Sequence, residues 1–227
     1  NLAILSYNEG FRAPTFNDLY YPDFCYFGTC YASANPDLQP EQSKTWEGQL
    51  RSSLSSTSQL QLSLYRTDIS DAIVLDQNFI PQNLQKARIN GFEAALEQQF
   101  GGWRSNLALG LIDPRDRETG HTLARRAKRT LTLDVDRQFD SFSAGATWRG
   151  VSGRYDDAEN TAELGGYGLL GVRAGWQATR QLSFDLSLDN LLDKDYADAT
   201  YTDGFSGQRS AYNTEGRTVL LALNWAL

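Results

Sequence analysis

The sequence predicts an all-β protein, a transmembrane antiparallel β-barrel whose strands run alternately up and down. About ten stretches alternate apolar and polar residues, which gives each strand one apolar and one polar face. In residues 183–190, for example, Phe184, Leu186 and Leu188 alternate with serine and aspartate. The connections are alternately short and long, as in barrels that cross a membrane with tight turns at one end and long loops at the other.

The composition is compatible with one large β domain in a membrane. The 227 residues are 41% hydrophobic and 22% charged, and their mean hydropathy is -0.48. No run approaches the roughly 18 apolar residues that a membrane helix requires, which excludes a helical membrane protein. A barrel strand needs only every second residue to be apolar, so the low mean hydropathy does not argue against a barrel. The net charge of -7 argues against binding to nucleic acid, which depends on basic side chains.

The alternation predicts ten strands. They lie at residues 2–7, 44–54, 59–75, 86–100, 103–111, 129–139, 142–154, 167–178, 182–192 and 218–227. Residues that favour turns predict tight turns at 55–58, 101–102, 140–141 and 179–180. Long links are predicted at 10–43, 76–85, 113–128, 155–166 and 196–217. The tight turns therefore lie at one end of the sheet and the long links at the other, whereas a Greek-key sandwich does not segregate its long connections.

Each predicted strand has an apolar face that would contact lipid and a polar face that would line a lumen. The apolar face includes Leu60, Leu62, Leu64, Leu131, Leu133, Val135, Phe142, Ala144, Ala146, Trp148, Val219, Leu221, Leu223 and Trp225. The polar face includes Gln59, Gln61, Ser63, Thr132, Asp134 and Asp136. Aromatic residues at strand ends are expected to form interfacial girdles. These are Tyr65, Phe100, Trp103, Phe139 and Trp148. The alternative is a soluble protein in which these aromatic side chains pack at strand ends.

The chain has two cysteines, Cys25 and Cys30, which lie close together in a loop-like stretch. This spacing, without a CxxC motif, predicts a local disulfide in an oxidising compartment. Two free thiols are the alternative. A zinc site is not expected, because the single histidine, His121, is distant in sequence and no further thiol is available.

Four motifs resemble the barrel of the TonB-dependent outer-membrane receptors. They are GFRAPTFNDLY at 10–20, NPDLQPEQSKTWEG at 35–48, KARINGFE at 86–93 and NLLDKDY at 190–196. They occur in family order along the whole chain. Two further stretches, LARRAK at 123–128 and YNTEGR at 212–217, are most similar to the members of this family that transport cobalamin.

The resemblance implies that the chain is the C-terminal part of a larger receptor. Members have a barrel of 22 strands around an N-terminal plug, so residues 1–227 would form about ten C-terminal strands. The plug domain, the signal peptide and the N-terminal strands would then be absent from this chain. The family usually ends on a phenylalanine that the assembly machinery reads, whereas this chain ends on Leu227.

The function implied by the resemblance is TonB-dependent, high-affinity uptake of cobalamin across the outer membrane of a Gram-negative bacterium. The partners would be cobalamin, lipopolysaccharide in the surrounding membrane, and TonB through the missing plug, with no nucleic acid. A ferric-siderophore receptor of the same family is the main alternative. An outer-membrane enzyme and a passive porin are the others, although no enzyme is expected. The chain has no P-loop, HExxH or GxSxG motif, and the GxGxxG at 166–171 opens a strand where a pyrophosphate site needs a helix.

Candidate ligand contacts follow from the cobalamin-transporting pattern. An arginine before the Ala-Lys pair and a tyrosine in the last loop match Arg125 and Tyr212. The Tyr-Ser pair of the preceding loop is replaced by Glu159 and Asn160, so Asn160 is a third candidate with altered contacts. No cofactor is expected in this segment, and calcium is a candidate only for the full receptor, because the acidic residues of 156–163 lack an EF-hand pattern.

Two groups of loop residues have more than one interpretation. The aromatic residues of the first long loop would either line the ligand entrance or pack around the disulfide. These are Tyr20, Tyr21, Phe24, Tyr26, Phe27 and Tyr31. The basic residues of 125–129 would either bind a phosphate-bearing ligand or lipopolysaccharide, or be solvated or paired with nearby carboxylates such as Asp113 and Asp116. For the members other than Arg125, we expect pairing.

Overall fold

The computed structural model describes residues 1–76, 78–203 and 207–226. Its elements are, in chain order, β1 (Leu2–Arg12), α1 (Phe16–Tyr20), β2 (Phe24–Tyr26), β3 (Thr29–Tyr31), β4 (Glu41–Ser55), β5 (Ser58–Leu75), β6 (Pro81–Phe100), β7 (Trp103–Asp116), β8 (Arg129–Phe139), β9 (Phe142–Val151), β10 (Arg154–Tyr155), β11 (Glu163–Leu164), β12 (Tyr167–Gln177), β13 (Leu182–Asp189), β14 (Thr200–Thr202), β15 (Arg209–Ala211) and β16 (Thr218–Trp225).

Ten of these strands form one antiparallel sheet in the order β1-β4-β5-β6-β7-β8-β9-β12-β13-β16. The other six form three small ribbons, β2–β3, β10–β11 and β14–β15, which lie within the long loops. Each strand of the large sheet pairs with the next large strand along the chain, so the sheet is an up-and-down meander. Strands β1 and β16 lie at its two edges, and the barrel is not closed within the described residues.

All ten predicted strands are present, but several extend further than their polarity suggested. Strand β1 continues to Arg12, where the sequence predicted a loop from residue 10. Strand β6 begins at Pro81, so the predicted long link 76–85 is only the short connection 76–80. The ladder pairs Val74 with Gln82 and Leu75 with Pro81. Backbone pairing does not require apolar side chains, so the strands continue beyond the apolar band.

The short helix α1 was not predicted, although its sequence carries a start signal. The hydroxyl of Thr15 accepts a hydrogen bond from the Asp18 amide, and the Asp18 carboxylate accepts one from the Thr15 amide. This reciprocal pattern is a capping box, which satisfies amide groups that have no partner within the helix. The Thr-x-x-Asp spacing was therefore readable in the sequence.

Strand register gathers the apolar residues on one face of the large sheet. Residues paired across neighbouring strands share a face. One row of such pairs is Ala3–Leu50–Leu62–Ala94–Leu109–Leu131, and another is Ala144–Ala174–Leu186–Leu221. Leu221, with 70% of its surface exposed, shows that this face is uncovered in the isolated chain. A face of this kind is what lipid covers in a membrane barrel. The terminal Leu227 lies outside the described residues.

The opposite face is polar and contains an ion cluster. Arg173 donates two hydrogen bonds to Asp136 at 2.8 and 2.6 Å, one to Asp134 at 2.8 Å and one to the Thr147 hydroxyl at 2.8 Å. Gly145 leaves room for this cluster, because an added Cβ would lie 2.2 Å from Asp136 Oδ1.

Within the described residues, no helix is long and apolar enough to cross a membrane.

Tyr65 was wrongly assigned to an interfacial girdle. It pairs with Glu47 and Gly91 on the polar face, one residue out of phase with Leu64. Its ring lies over Gly91, where an added Cβ would be 2.1 Å from Tyr65 Cζ. Tyr65 also lies near the middle of β5 and not at a strand end, and the alternation of side chains decides the face.

Candidate functional site

Three long loops at one end of the sheet contact one another and form a loop cluster. They are the β7–β8 loop (117–128), the β9–β12 loop (152–166) and the β13–β16 loop (190–203 and 207–217 of the described chain). They connect neighbouring strands, so their bases lie side by side. Loops carried by a rigid scaffold are where binding residues concentrate.

Asn160 joins the first two of these loops. Its side-chain oxygen accepts a hydrogen bond from the Thr122 amide at 2.8 Å, and its side-chain nitrogen donates to the Thr122 carbonyl at 2.8 Å. Thr122 is buried, and Asn160 has a positive φ of 58°, a conformation that asparagine tolerates better than most residues. His121 Nδ1 also lies 3.1 Å from the Ala158 carbonyl oxygen. The side chain of Asn160 therefore acts as a link between loops.

Asp156 joins all three loops. Its Oδ1 accepts a hydrogen bond from Arg125 Nε at 2.7 Å, and its Oδ2 accepts one from the Thr200 amide at 2.8 Å and another from the Thr200 hydroxyl. The Arg125 amide donates to the Tyr155 carbonyl at 2.6 Å. Burial raises the pKa of Asp156, but the hydrogen bonds from Thr200 and Arg125 outweigh it and hold the pKa below its ordinary value. The carboxylate is therefore charged at neutral pH.

A second set of contacts joins the β9–β12 and β13–β16 loops. The Arg154 guanidinium pairs with the Asp198 carboxylate, which also accepts a hydrogen bond from the Tyr167 hydroxyl at 3.0 Å. The Tyr167 ring packs on Tyr196 with centroids 4.3 Å apart. These contacts fix the base of the β13–β16 loop against the start of β12.

The NLLDKDY motif shapes the beginning of the β13–β16 loop. The buried side chain of Asn190 accepts a hydrogen bond from the Lys194 amide at 2.8 Å and donates to the Lys194 carbonyl at 3.0 Å. Asp193 Oδ1 accepts a hydrogen bond from the Arg217 amide at 2.9 Å, which ties the two ends of the loop together. These hydrogen bonds give Asn190 and Asp193 of the motif a structural role within the loop.

The three predicted ligand residues have different surroundings. Arg125 is 45% exposed at its side chain, and its terminal nitrogens have no partner among the described residues. Tyr212 is 55% exposed and packs against Tyr201 with ring centroids 5.0 Å apart. Both can present donors or a ring face to a ligand, whereas the amide of Asn160 is already hydrogen-bonded to Thr122. Arg125 and Tyr212 are not in contact, but Asp156 and the β14–β15 ribbon connect them.

The predicted disulfide between Cys25 and Cys30 is present and joins directly paired positions of β2 and β3. The aromatic side chains near it do not pack into a core around the bridge. They are exposed, most of all Phe27 at 91%. Exposed neighbours are Tyr20, Tyr21, Phe24 and Tyr31. The ribbon therefore presents aromatic surface at the loop end of the sheet.

The two aspartates of the β9–β12 loop, Asp156 and Asp157, are hydrogen-bonded within the loop cluster. Asp157 accepts hydrogen bonds from the Thr161 amide and hydroxyl and from the Ala162 amide at 2.9 Å. Burial raises the pKa of Asp157, but these hydrogen bonds hold it below its ordinary value. Within the described ranges, no group of three or more histidine, cysteine or acidic side chains is arranged to hold a metal ion.

The expected pairing of the basic residues near Arg125 with Asp113 and Asp116 is wrong. Asp113 pairs with Arg115 at 2.8 Å on its own strand. Asp116 accepts hydrogen bonds from the Glu118 amide at 2.8 Å and the Thr119 hydroxyl at 2.6 Å. Both carboxylates are therefore occupied by groups within two or three residues, Asp113 along its strand and Asp116 in the turn that follows.

Comparison with known proteins identifies the family. The family of TonB dependent receptor-like β-barrels matches residues 1–191. The chain belongs to this family. The β-barrels of this family lie in the outer membrane of Gram-negative bacteria, and so does this segment.

Two curated relatives of this TonB-dependent receptor chain are named vitamin B12 transporter BtuB. The one from Photobacterium profundum is 34% identical over 219 residues, which is 90% of this chain and 33% of the relative. The one from Vibrio vulnificus is 32% identical over 227 residues, which is 98% of this chain and 34% of the relative. The chain therefore spans about a third of the length of these relatives.

Solved structures share the fold of this TonB-dependent receptor chain. The copper transporter OprC superposes with a TM-score of 0.80 at 20% identity, covering 98% of this chain and 36% of that one. The ferric enterobactin receptor PfeA from Pseudomonas aeruginosa gives a TM-score of 0.77 at 22% identity, covering 98% of this chain and 38% of that one. At these identities the likeness establishes the fold alone.

Proposed function

We propose that the full-length receptor takes up cobalamin across the outer membrane in a TonB-dependent manner. The observation that carries the proposal is the 32% to 34% identity to two vitamin B12 transporters over 90% or more of the chain. The present segment would supply barrel wall and part of the outer ligand site. TonB would act through a plug domain, lipopolysaccharide would surround the barrel, and any calcium would be held by other parts of the receptor.

The loop cluster supports a binding role in this proposal. Hydrogen bonds centred on Asp156 and Asn160 hold the three loops in one arrangement before a ligand arrives. Preorganised loops bind more tightly because less conformational entropy is lost on binding. In the proposed complex, Arg125 offers fixed donors to amide or phosphate oxygens, and Tyr212 offers a flat ring face with a polar tip.

The test is calorimetric titration of the purified full-length receptor with cyanocobalamin, with and without calcium, beside a panel of ferric siderophores. Nanomolar binding of cobalamin alone is the expected result. Binding of a siderophore in its place would keep the receptor family and overturn the ligand. Turnover of a lipid or peptide, or steady conductance through the receptor, would point to an enzyme or a porin.

The carried-over contacts have their own variants. Arg125→Ala and Tyr212→Ala should each weaken cobalamin binding about tenfold, the usual scale for losing one good interface contact, without altering barrel assembly. Arg126→Ala is the matched control for Arg125, because Arg126 is an exposed neighbour without a partner among the described residues. Unchanged affinity in both alanine variants would discard the site.

Arg125 also pairs with Asp156, so its effect on the ligand must be separated from its effect on the loops. Asp156→Asn removes the ion pair and leaves the guanidinium in place. A larger loss of affinity in Arg125→Ala than in Asp156→Asn indicates direct contact with the ligand. Equal losses would indicate that Arg125 acts only by positioning the loops.

A ferric-siderophore receptor is the second candidate, and the β2–β3 ribbon favours it. Its exposed aromatic side chains, including Phe24 and Phe27, could stack on an iron-catecholate complex. Under this alternative, the wild-type receptor has no measurable affinity for cobalamin, and Phe27→Ala weakens its binding of the siderophore. The same titrations therefore decide between the two ligands.

A further inference from the structure

A row of charged residues crosses five strands near the loop end of the sheet. Strand register pairs Glu9 with Lys44, Lys44 with Asp68, Asp68 with Arg88, and Arg88 with Arg115. These five residues, one each from β1, β4, β5, β6 and β7, are called the charged row. Paired residues share a face, so all five lie on the same side of the sheet.

The charged row lies on the lipid-facing side. Residues two apart on a strand share a face, so the rows below it along the same strands can be read directly. The next row is Tyr7–Trp46–Arg66–Asn90–Asp113, and the one after it is Leu5–Gly48–Leu64–Phe92–Leu111. The outer face therefore passes from aliphatic through aromatic to charged residues toward the long loops.

The position of the row along the strands matches the level of lipid headgroups. On β6, Arg88 and the exposed Phe100 at the tight-turn end are separated by about 12 residues, or about 40 Å at roughly 3.3 Å per residue. With a strand tilt of about 40°, this is about 30 Å along the membrane normal, against an apolar band about 25 Å tall. If Phe100 lies near one boundary of the apolar band, Arg88 therefore lies just beyond the opposite boundary.

Basic residues outnumber acidic ones among the residues of the charged row and the outward-facing residues next to it on the same strands, although the whole chain has a net charge of -7. The basic residues are Lys44, Arg66, Lys86, Arg88 and Arg115, and the acidic ones are Glu9, Asp68 and Asp113. Lys86 lies two residues beyond Arg88 toward the loops, is exposed, and has no carboxylate partner among the described residues. The region therefore carries excess positive charge on an outward face.

The existing ion pairs do not use up the basic groups. Asp68 is shared, since it accepts hydrogen bonds from Arg66 Nε at 2.8 Å and from Arg88 Nε at 2.6 Å. Within the described chain, the terminal nitrogens of Arg88 have no acceptor. The Lys44–Glu9 pair is exposed and 3.8 Å apart, and exposed pairs contribute little to stability. An anion from outside can therefore bind to these basic groups without a large loss of stability from the existing ion pairs.

We propose that the charged row binds the phosphate groups of lipid A, the anionic glycolipid anchor of lipopolysaccharide. Guanidinium groups match phosphate oxygens with paired, charge-assisted hydrogen bonds, and basic side chains near an anionic lipid surface are attracted to it. The aliphatic and aromatic rows below would contact the acyl chains of the same lipid. This inference deepens the proposed contact with lipopolysaccharide and gives it a location.

The test is lipid binding by the full-length receptor, purified in detergent, measured by native mass spectrometry. The probes are diphosphoryl lipid A and the same lipid with both phosphates removed. The variant is Arg88→Gln with Arg115→Gln. The control is Arg51→Gln with Arg180→Gln, which removes the same charge from the polar face and from a tight turn.

Wild type and control should prefer the phosphorylated lipid, and the variant should lose this preference by about 30-fold, because each basic group near such a surface contributes about fivefold. Equal preference in variant and wild type, or an equal loss in the control, overturns the proposal. If the variant does not fold, Lys44→Gln with Lys86→Gln tests the same region. Cyanocobalamin titration of every protein separates this result from the proposed uptake function, since ligand binding should not change.

Discussion

Replacing Asp156 with asparagine should open the loop cluster without affecting the barrel. Asp156 is 5% exposed and receives three hydrogen bonds, one from Arg125 and two from Thr200. Asparagine has one acceptor oxygen and no charge, so at least one donor loses its partner. A hydrogen bond to a charged group contributes about 1.5–3 kcal/mol, and the exposure of Arg125 reduces its share, so we expect a loss of about 2 kcal/mol.

The assay is hydrogen–deuterium exchange of the full-length receptor, followed by mass spectrometry. A loss of about 2 kcal/mol raises the population of open loops about 30-fold, so amides in 121–128, 155–163 and 197–203 should exchange about 30-fold faster. Strands β4 to β6 should exchange as before. The control is Asp195→Asn, an exposed aspartate without a partner among the described residues.

Two outcomes would refute this reasoning. Unchanged exchange in all three segments would mean that Asp156 does not hold the loops together. Equal acceleration in β4 to β6 would mean that the loops and the barrel open as one unit, so the loop cluster would have no independent stability.

The same residue makes the loop cluster sensitive to acid. The pKa of Asp156 lies below its ordinary value of 3.8 in the folded state, because hydrogen bonds from Thr200 and Arg125 outweigh the effect of burial. Its stabilisation is therefore fully present above pH 3.8 and is lost as the pH falls through the lower, folded value. Pepsin cleavage of the loops between pH 2 and pH 5 should increase toward acid in wild type and less so in Asp156→Asn. Identical pH profiles would contradict this assignment.

Three further variants test other parts of the sheet. Gly91→Ala should destabilise the barrel by about 1–3 kcal/mol in heat-modifiable electrophoresis, because the new Cβ would lie 2.1 Å from Tyr65 Cζ. Adding Tyr65→Ser should relieve the clash, and additive effects of the two substitutions on stability would contradict this. Cys25→Ser with Cys30→Ser should cost the ribbon about 2 kcal/mol and speed its cleavage by chymotrypsin, with the barrel's thermal transition unchanged; resistance equal to wild type would contradict it. Arg173→Met leaves two carboxylates facing each other and should cost about 1–2 kcal/mol, reduced from the buried case by exposure, whereas an unchanged thermal transition would show that the cluster does not stabilise the wall.

The large sheet could be predicted because its information is local. Alternation in a stretch such as Leu182–Asp189 fixes which side chains share a face, and a tight turn fixes which strand pairs with the next. Strand ends were less predictable, as the early start of β6 at Pro81 shows. Side-chain polarity marks the edge of the apolar band, whereas backbone pairing continues as long as a partner strand is present.

The loop cluster could not be derived in the same way. Its contacts join residues far apart in sequence, such as Asn160 with Thr122 and Asp156 with Thr200, and no periodic pattern encodes such pairs. The resemblance to cobalamin-transporting receptors singled out Arg125 and Asn160 as ligand residues. The structure shows both in contacts between loops, a role that a motif in one loop cannot reveal.

The loop cluster and the polar face of the sheet are both held by several contacts along the proposed ligand path. At the outer end, hydrogen bonds accepted by Asp156 and Asn160 and the ion pair of Asp198 with Arg154 connect the neighbouring loops of the cluster, so several bonds must break together before the loops separate. Along the polar face, Arg173 satisfies Asp134 and Asp136 within the wall. A ligand held between Arg125 and Tyr212 would then meet a preorganised outer site and a wall whose charges are already paired. Under the proposed function, the part that moves during release would be the plug, because the wall and the loop cluster would each have to break several hydrogen bonds or ion pairs to change conformation.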